Sequence, residues 1–261
     1  MKKIKNIFTP NGAIDKSTAM LLIYSQIFFL CLYWLFSKSV FLPTPSETLK
    51  ALAELWSSGV GSELLVSFNL NLEAIAYSTV ISLVLAYLTT IPFFRPMVGF
   101  ISKLRFLSLV GLTFFFTLMS NSSHTLKLSL LVFSVSVFFV TSMVDVLASI
   151  PKVQFDLART LRMGEWETLW EVIILGQADK AFDVIRQNSA ISWLMLTMVE
   201  GMSRSEGGIG AVLLNNNKHF HLSAVMAIQI TILLVGLGQD YVIGVLKKIF
   251  CPYAGIALER K

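Results

Sequence analysis

The sequence predicts an all-α, polytopic transmembrane bundle of about six helices, with one long charged loop on the inner side. Three observations predict it. The chain is 55% hydrophobic and only 14% charged, whereas soluble domains are about 25% charged. Uncharged runs at 19–36, 74–94, 128–144 and 222–239 are 17 to 21 residues long, close to the roughly 20 that a helix needs to cross hydrocarbon. The basic residues also alternate. With six crossings and an inner N-terminus, 16 of the 21 Lys and Arg fall in predicted cytoplasmic segments. That is the positive-inside bias, so a pI near 9.2 reports topology and no nucleic-acid partner is expected.

The expected crossings are 19–36, 72–92, 104–120, 126–146, 183–200 and 222–246. A single membrane domain, 1–261, accounts for the chain, with a cytoplasmic N-terminus at 1–18 and a cytoplasmic loop at 147–182. The first run follows Lys2, Lys3 and Lys5, as a signal peptide would. It exceeds the 7–15 residues of such an apolar core and no small-x-small site follows, so a retained helix is expected. In the next segment, "LPTPSETLKALAEL", Thr44 suits a cap, Pro45 the first helical position and Glu47 a capping box. Leu49, Leu52, Ala53 and Trp56 then share a face, reading as a helix on the outer membrane surface or an ordinary connector.

After the fourth crossing, "FDLARTLRMGEWETLWEVIIL" (155–175) carries two arginines, three glutamates and an aspartate. A first helix is expected from 152 to 161, with Asp156 paired to Arg159 or Thr160 and with Leu157, Ala158 and Leu161 on one side. Gly164 is the expected break. A second amphipathic helix follows, with Trp166, Leu169, Trp170 and Ile173 at helical spacing. The pattern suits either an interfacial anchor or a docking element for a cytosolic partner.

The fifth crossing is unusually polar. Arg186, Ser189, Trp193, Thr197 and Glu200 lie on one helical stripe, about 21 Å from end to end at 1.5 Å per residue. Polar groups in lipid are costly and face a protein interior or a watery route. Pore lining and a helix–helix interface both fit, and Trp193 suits a gate, a stacking platform or a seam filler. Cys31 and Cys251 belong to different membrane levels, which argues against a disulfide. The lone His219–His221 pair lacks a third ligand, so no metal is expected. No nucleophile–base constellation marks an enzyme, and no phosphate-binding G-x-x-x-x-G-K-[ST] loop is present.

The chain resembles ABC importer permeases of the nitrate/sulfonate/taurine type. "FLPTPSETLKAL" resembles the family's "LPSPSE" segment, and "DLARTL" its "EAARTLG" loop. Arg186, Trp193 and Glu200 match its Arg, Trp and Glu spacing, "GGIG" its "GLG", and "VGLGQD" its late "G…D". The resemblance implies a binding-protein-dependent importer subunit in the bacterial inner (plasma) membrane, both termini cytoplasmic. The expected partners are ABC ATPase subunits, an external solute-binding protein, a second permease copy and membrane lipid. The chain would hold no cofactor of its own, ATP being bound by the ATPase.

Asp156, Ala158, Arg159, Thr160, Leu161 and Gly164 would form the ATPase-coupling loop, and Arg186, Ser189, Trp193, Thr197 and Glu200 the translocation pathway. The loop departs from the family: its glycine falls on Arg162. Its "LPAALP" corresponds to Ile174–Asp179 without the prolines, so a straight run is expected there. A permease-like scaffold or heterodimer partner, and an energy-coupling-factor-type component, are the alternative readings.

Overall fold

A computed structural model describes residues 15–36, 42–203 and 207–253. The expected cytoplasmic residues 1–14, together with Lys38, Arg204 and 254–261, lie outside these. The described residues form eleven α-helices and no strand. In chain order they are α1 Lys16–Phe36, α2 Pro45–Ser57, α3 Val60–Leu88, α4 Arg95–Lys103, α5 Leu109–Met119, α6 Ser123–Ala148, α7 Lys152–Thr160, α8 Glu165–Thr168, α9 Ala178–Met202, α10 Ile209–Lys218 and α11 Leu222–Phe250. A 3-10 turn, Leu104–Phe106, precedes α5, and a π-helical stretch, Leu169–Leu175, continues α8.

By length and apolarity α1, α3, α6 and α11 can each cross a membrane. The expected single helix at 104–120 is corrected. It is broken, with α4 and the 3-10 turn meeting α5 at 110°. At 11 residues α5 rises only about 16 Å, too little to span alone. The topology nevertheless requires a return through this pair. The Ser78 and Ser82 hydroxyls donate to the Val132 and Ser136 carbonyls at 3.3 and 3.2 Å, a constant offset of 54 residues. Helices α3 and α6 therefore run parallel. Between Leu88 and Ser123 the chain climbs back about 28 Å at 1.5 Å per residue, one hydrocarbon thickness.

Helix α9 runs antiparallel to this pair. Its residues Ser192 and Glu200 bond Asn71 and Ser67 in descending order on α3. Against α11 the pairs are Asp183–Lys247 and Arg186–Asp240, again antiparallel. Helices α3, α6 and α11 thus point one way, α9 the other. The bundle has an α2 end, with α10 and the starts of α3, α6 and α11, and an α7 end, with the loop at 149–177.

Close approach of α3 to α6, α9 and α11 follows from the small and polar residues of its buried face. Ser67, Asn71, Ala74, Ser78, Ser82 and Ala86 recur at spacings of three or four and are fully buried, which lets backbones meet in lipid. Two apolar cores flank this seam. Leu70, Ala74, Leu131, Trp193, Leu196 and Ile228 pack in the half nearer α2. Ala86, Phe139, Met143, Ala181 and Val184 pack nearer α7. Outside, large apolar side chains stand exposed: Tyr24, Phe28 and Phe29 on α1, Phe114 and Phe115 on α5, Leu233, Leu234 and Leu237 on α11. Water would penalise such a surface; hydrocarbon would not.

Helix α2 starts as its sequence dictates. Glu47 N–H donates to the Thr44 hydroxyl and Thr44 N–H to the Glu47 carboxylate, with Pro45 in the first turn. Thr48 and Ala51 face the bundle while Leu49 and Trp56 stay exposed, as suits a helix lying at a lipid boundary.

Candidate functional site

Helix α9 carries two sites, one at each end, and the loop before it forms a third region. Toward the α2 end, Glu200 is fully buried. One carboxylate oxygen accepts the Ser67 hydroxyl at 2.6 Å and the other accepts the Gly210 N–H at 2.8 Å. The Ser67 oxygen accepts the Ile209 N–H at 2.8 Å, and the Gly208 N–H donates to Glu63 at 2.5 Å. So the first N–H groups of α10, which no helical turn can satisfy, are bonded by side chains of α3 and α9. Carboxylates also suit the positive end of the helix dipole. Buried Lys127 completes this clamp, donating to the Gly207 carbonyl at 3.0 Å.

The "GGIG" run is what such a clamp needs. At Gly208, φ is +107° and an added Cβ would stand 2.4 Å from the Glu200 carboxylate carbon. At Gly210 it would stand 2.5 Å from the Thr197 carbonyl oxygen.

One turn and more along α9, the Trp193 indole N–H donates to the Gln239 amide oxygen at 2.8 Å. Asn71 donates to the same oxygen at 3.1 Å, and Ser192 donates to Asn71 at 2.5 Å. Trp193 is buried against Phe68 and Gly236, inside the chain's own bundle. The Gln239 amide nitrogen, by contrast, is buried with no partner among the described residues.

The α7 end of α9 is built differently. The Arg186 guanidinium forks onto both oxygens of Asp240, each at 2.5 Å, and Lys247 pairs with Asp183 at 2.6 Å. Arg186 and Asp240 are 48% and 37% exposed. The pairs edge an open groove of about 470 Å³ with Tyr241, Gly244 and Lys248.

The five stripe residues therefore part company. Ser189, Trp193 and Glu200 are buried within the bundle. Arg186 lies on the open seam with α11, and half-buried Thr197 spends its hydroxyl on the Leu194 carbonyl.

In the loop, α7 ends in a Schellman motif. Met163 N–H donates to the Ala158 carbonyl and Arg162 N–H to the Arg159 carbonyl. Arg162 occupies its left-handed position, at φ 55°. Gly164 lies in the gap between α7 and α8, where the break was expected, but with φ −66° it caps α8, its N–H donating to Glu167 at 2.8 Å, and the left-handed turn falls on Arg162. The straight run expected from the missing prolines is corrected. The chain widens into a π-helix, closed by Gly176 N–H to the Glu171 carbonyl, and breaks at Gly176–Gln177 before α9.

Ala158 is only 2% exposed and is covered by its own chain. Leu157 and Leu161, expected on the same side, point outward instead. With Val153 they form an exposed i, i+4, i+8 stripe on α7, at 74, 59 and 63% from Val153 to Leu161. Asp156 and Arg159 pair at 3.5 Å on the surface, while Thr160 bonds the Leu157 carbonyl.

The sequence reading missed Glu63, Ser67, Asn71, Lys127, Ser192 and Gln239. The recurrence of Glu63, Ser67 and Asn71 every fourth residue was the available signal. Compared with known proteins, the chain matches no family model and no curated sequence.

Proposed function

We propose that this chain is the transmembrane subunit of an ATP-driven importer, forming the translocation path for a small solute and coupled through α7 to a separate ATPase. One observation carries the reading: α7 presents an exposed apolar stripe, then turns through a left-handed residue at the position where the resembled loop has its glycine. Glycine adopts that conformation most readily, so a left-handed turn here suits the position that the resembled loop gives to glycine.

Charge gives the loop its side. Arg95, Lys103, Lys152, Arg159, Arg162, Lys180, Lys247 and Lys248 gather toward the α7 end, whereas the described cations of the α2 end are Lys50, Lys127 and Lys218. By the positive-inside rule the α7 end is cytoplasmic. The sense of α3, α6, α9 and α11 then agrees with six crossings, the bent α4–α5 pair being the third. Beside the loop lies a groove of about 730 Å³, lined by Thr89, Arg95, Val144, Leu147, Trp166 and Leu169, a socket for a partner's apolar knob.

The resembled family carries nitrate, sulfonates, taurine or vitamin precursors, and one of these small-solute classes is the proposed cargo. The absent prolines favour the second reading, a permease-like scaffold or heterodimer partner that has lost coupling.

The test is affinity capture of this chain from its native membranes, with detection of a co-purifying ABC ATPase. Each exposed leucine would contribute about 1.5–3 kcal/mol on burial, so Leu157→Asp with Leu161→Asp should weaken the complex at least tenfold while membrane insertion stays normal. Unchanged ATPase capture and uptake would remove coupling through α7. Ala158→Asp is a poorer probe, because it strikes the loop's own packing.

A further inference from the structure

Helix α9 is held at its two ends by unlike chemistry, and that asymmetry defines a motion. At the α2 end the Glu200–Ser67 and Glu200–Gly210 bonds are buried, the Glu63–Gly208 bond beside them is partly buried, and the glycine loop has no room to shift past the carboxylates. At the α7 end two ion pairs, Arg186–Asp240 and Asp183–Lys247, join α9 to α11 along an open groove. Phe182 stacks on Phe250 beside them, centroids 5.8 Å apart. Exposed ion pairs are weak and screened by salt, whereas a buried hydrogen-bonded carboxylate resists both water and salt.

We infer that α9 pivots about the Glu200 clamp, and that the Arg186–Asp240 and Asp183–Lys247 pairs are a latch whose release parts α9 from α11 at the α7 end. Trp193 and Gln239 sit between pivot and latch, in the part of the seam that would open next. This deepens the transport reading by giving the path an inner gate, and it rests on that reading only for the gate's purpose.

The experiment uses the full chain in lipid nanodiscs, with Cys31→Ser and Cys251→Ala as background. Spin labels at Lys180 and Lys248 report the latch end, and labels at Met198 and Asn215 the clamp end, by pulsed electron resonance distances. In the otherwise native chain, 1 M salt should lengthen the 180–248 distance by several Å and leave 198–215 unchanged. Asp183→Asn with Asp240→Asn should do the same at low salt, and Arg186→Asp with Asp240→Arg should restore the short distance.

An unaltered 180–248 distance under both salt and neutralisation would overturn the latch, assigning closure to packing such as Phe182 on Phe250. Equal broadening at both ends would overturn the pivot. Neither result depends on an ATPase, so failure of the latch and failure of the importer reading are separable.

Discussion

The two ends of α9 show how one helix can be tied by opposite strategies. At Glu200 the side chain is fully buried and every polar atom near it is bonded by α3 or the first turn of α10. At Arg186 the same helix meets α11 through charges that solvent reaches. Burial makes the first tie expensive to break, since each partner left behind stays unsatisfied. Exposure makes the second cheap to break and easy to remake. The proposed transport would use both: a fixed point to move about and a contact that can let go.

That contrast is sharpest under substitution. Glu200→Ala should be the most damaging change, leaving the Ser67 hydroxyl and Gly210 N–H buried and unpaired at a cost of about 4–5 kcal/mol. It should appear as a large fall in Tm in detergent. Trp193→Ala should cost about 3–4 kcal/mol, the low part of the range for large aromatic truncations, because Gly236 lies beside the ring and the helices can close on the gap. Trp193→Phe should lose much less, isolating the hydrogen bond to Gln239.

Arg162→Gly should act in the other direction. It relieves the left-handed backbone and should stabilise the loop by about 1 kcal/mol, raising protease resistance at 161–164 without changing insertion. Smallest of all, Asp240→Asn should leave Tm nearly unchanged while reducing the salt dependence of the α9–α11 distance, the Asp183–Lys247 pair remaining. A large fall in Tm there would erase the contrast between the two ends.

What could be read without coordinates follows the range of the interaction. The α2 cap was legible because Thr44, Pro45 and Glu47 lie within four residues. The α9 stripe was legible as a period, yet its inward and outward members could not be sorted, since Ser67 is 133 residues from Glu200 and Gln239 is 46 from Trp193. Helix α3 begins at Val60 rather than 72, a start hidden in the sequence because Glu63, Ser67 and Asn71 interrupt the apolar run, although Ser67 and Asn71 are buried in the bundle.

The break between α4 and α5 was hidden for the converse reason. Composition is continuous across 104–120, and only the parallel packing of α3 on α6 exposes the bend. In the loop, glycine chemistry pointed to Gly164, but the left-handed turn is made by Arg162, held there by the Schellman bonds to Ala158 and Arg159.

Everything rests on the α2 and α7 ends facing opposite sides of the membrane. Single cysteines at Asn216 and Glu165, in a chain without its two native cysteines, test this with a membrane-impermeant maleimide on intact spheroplasts and on lysed membranes. Asn216 should label from outside, and Glu165 only after lysis. Labelling of both residues from the same side would contradict the six-crossing arrangement, and with it the inner position of the α7 loop and of the proposed gate.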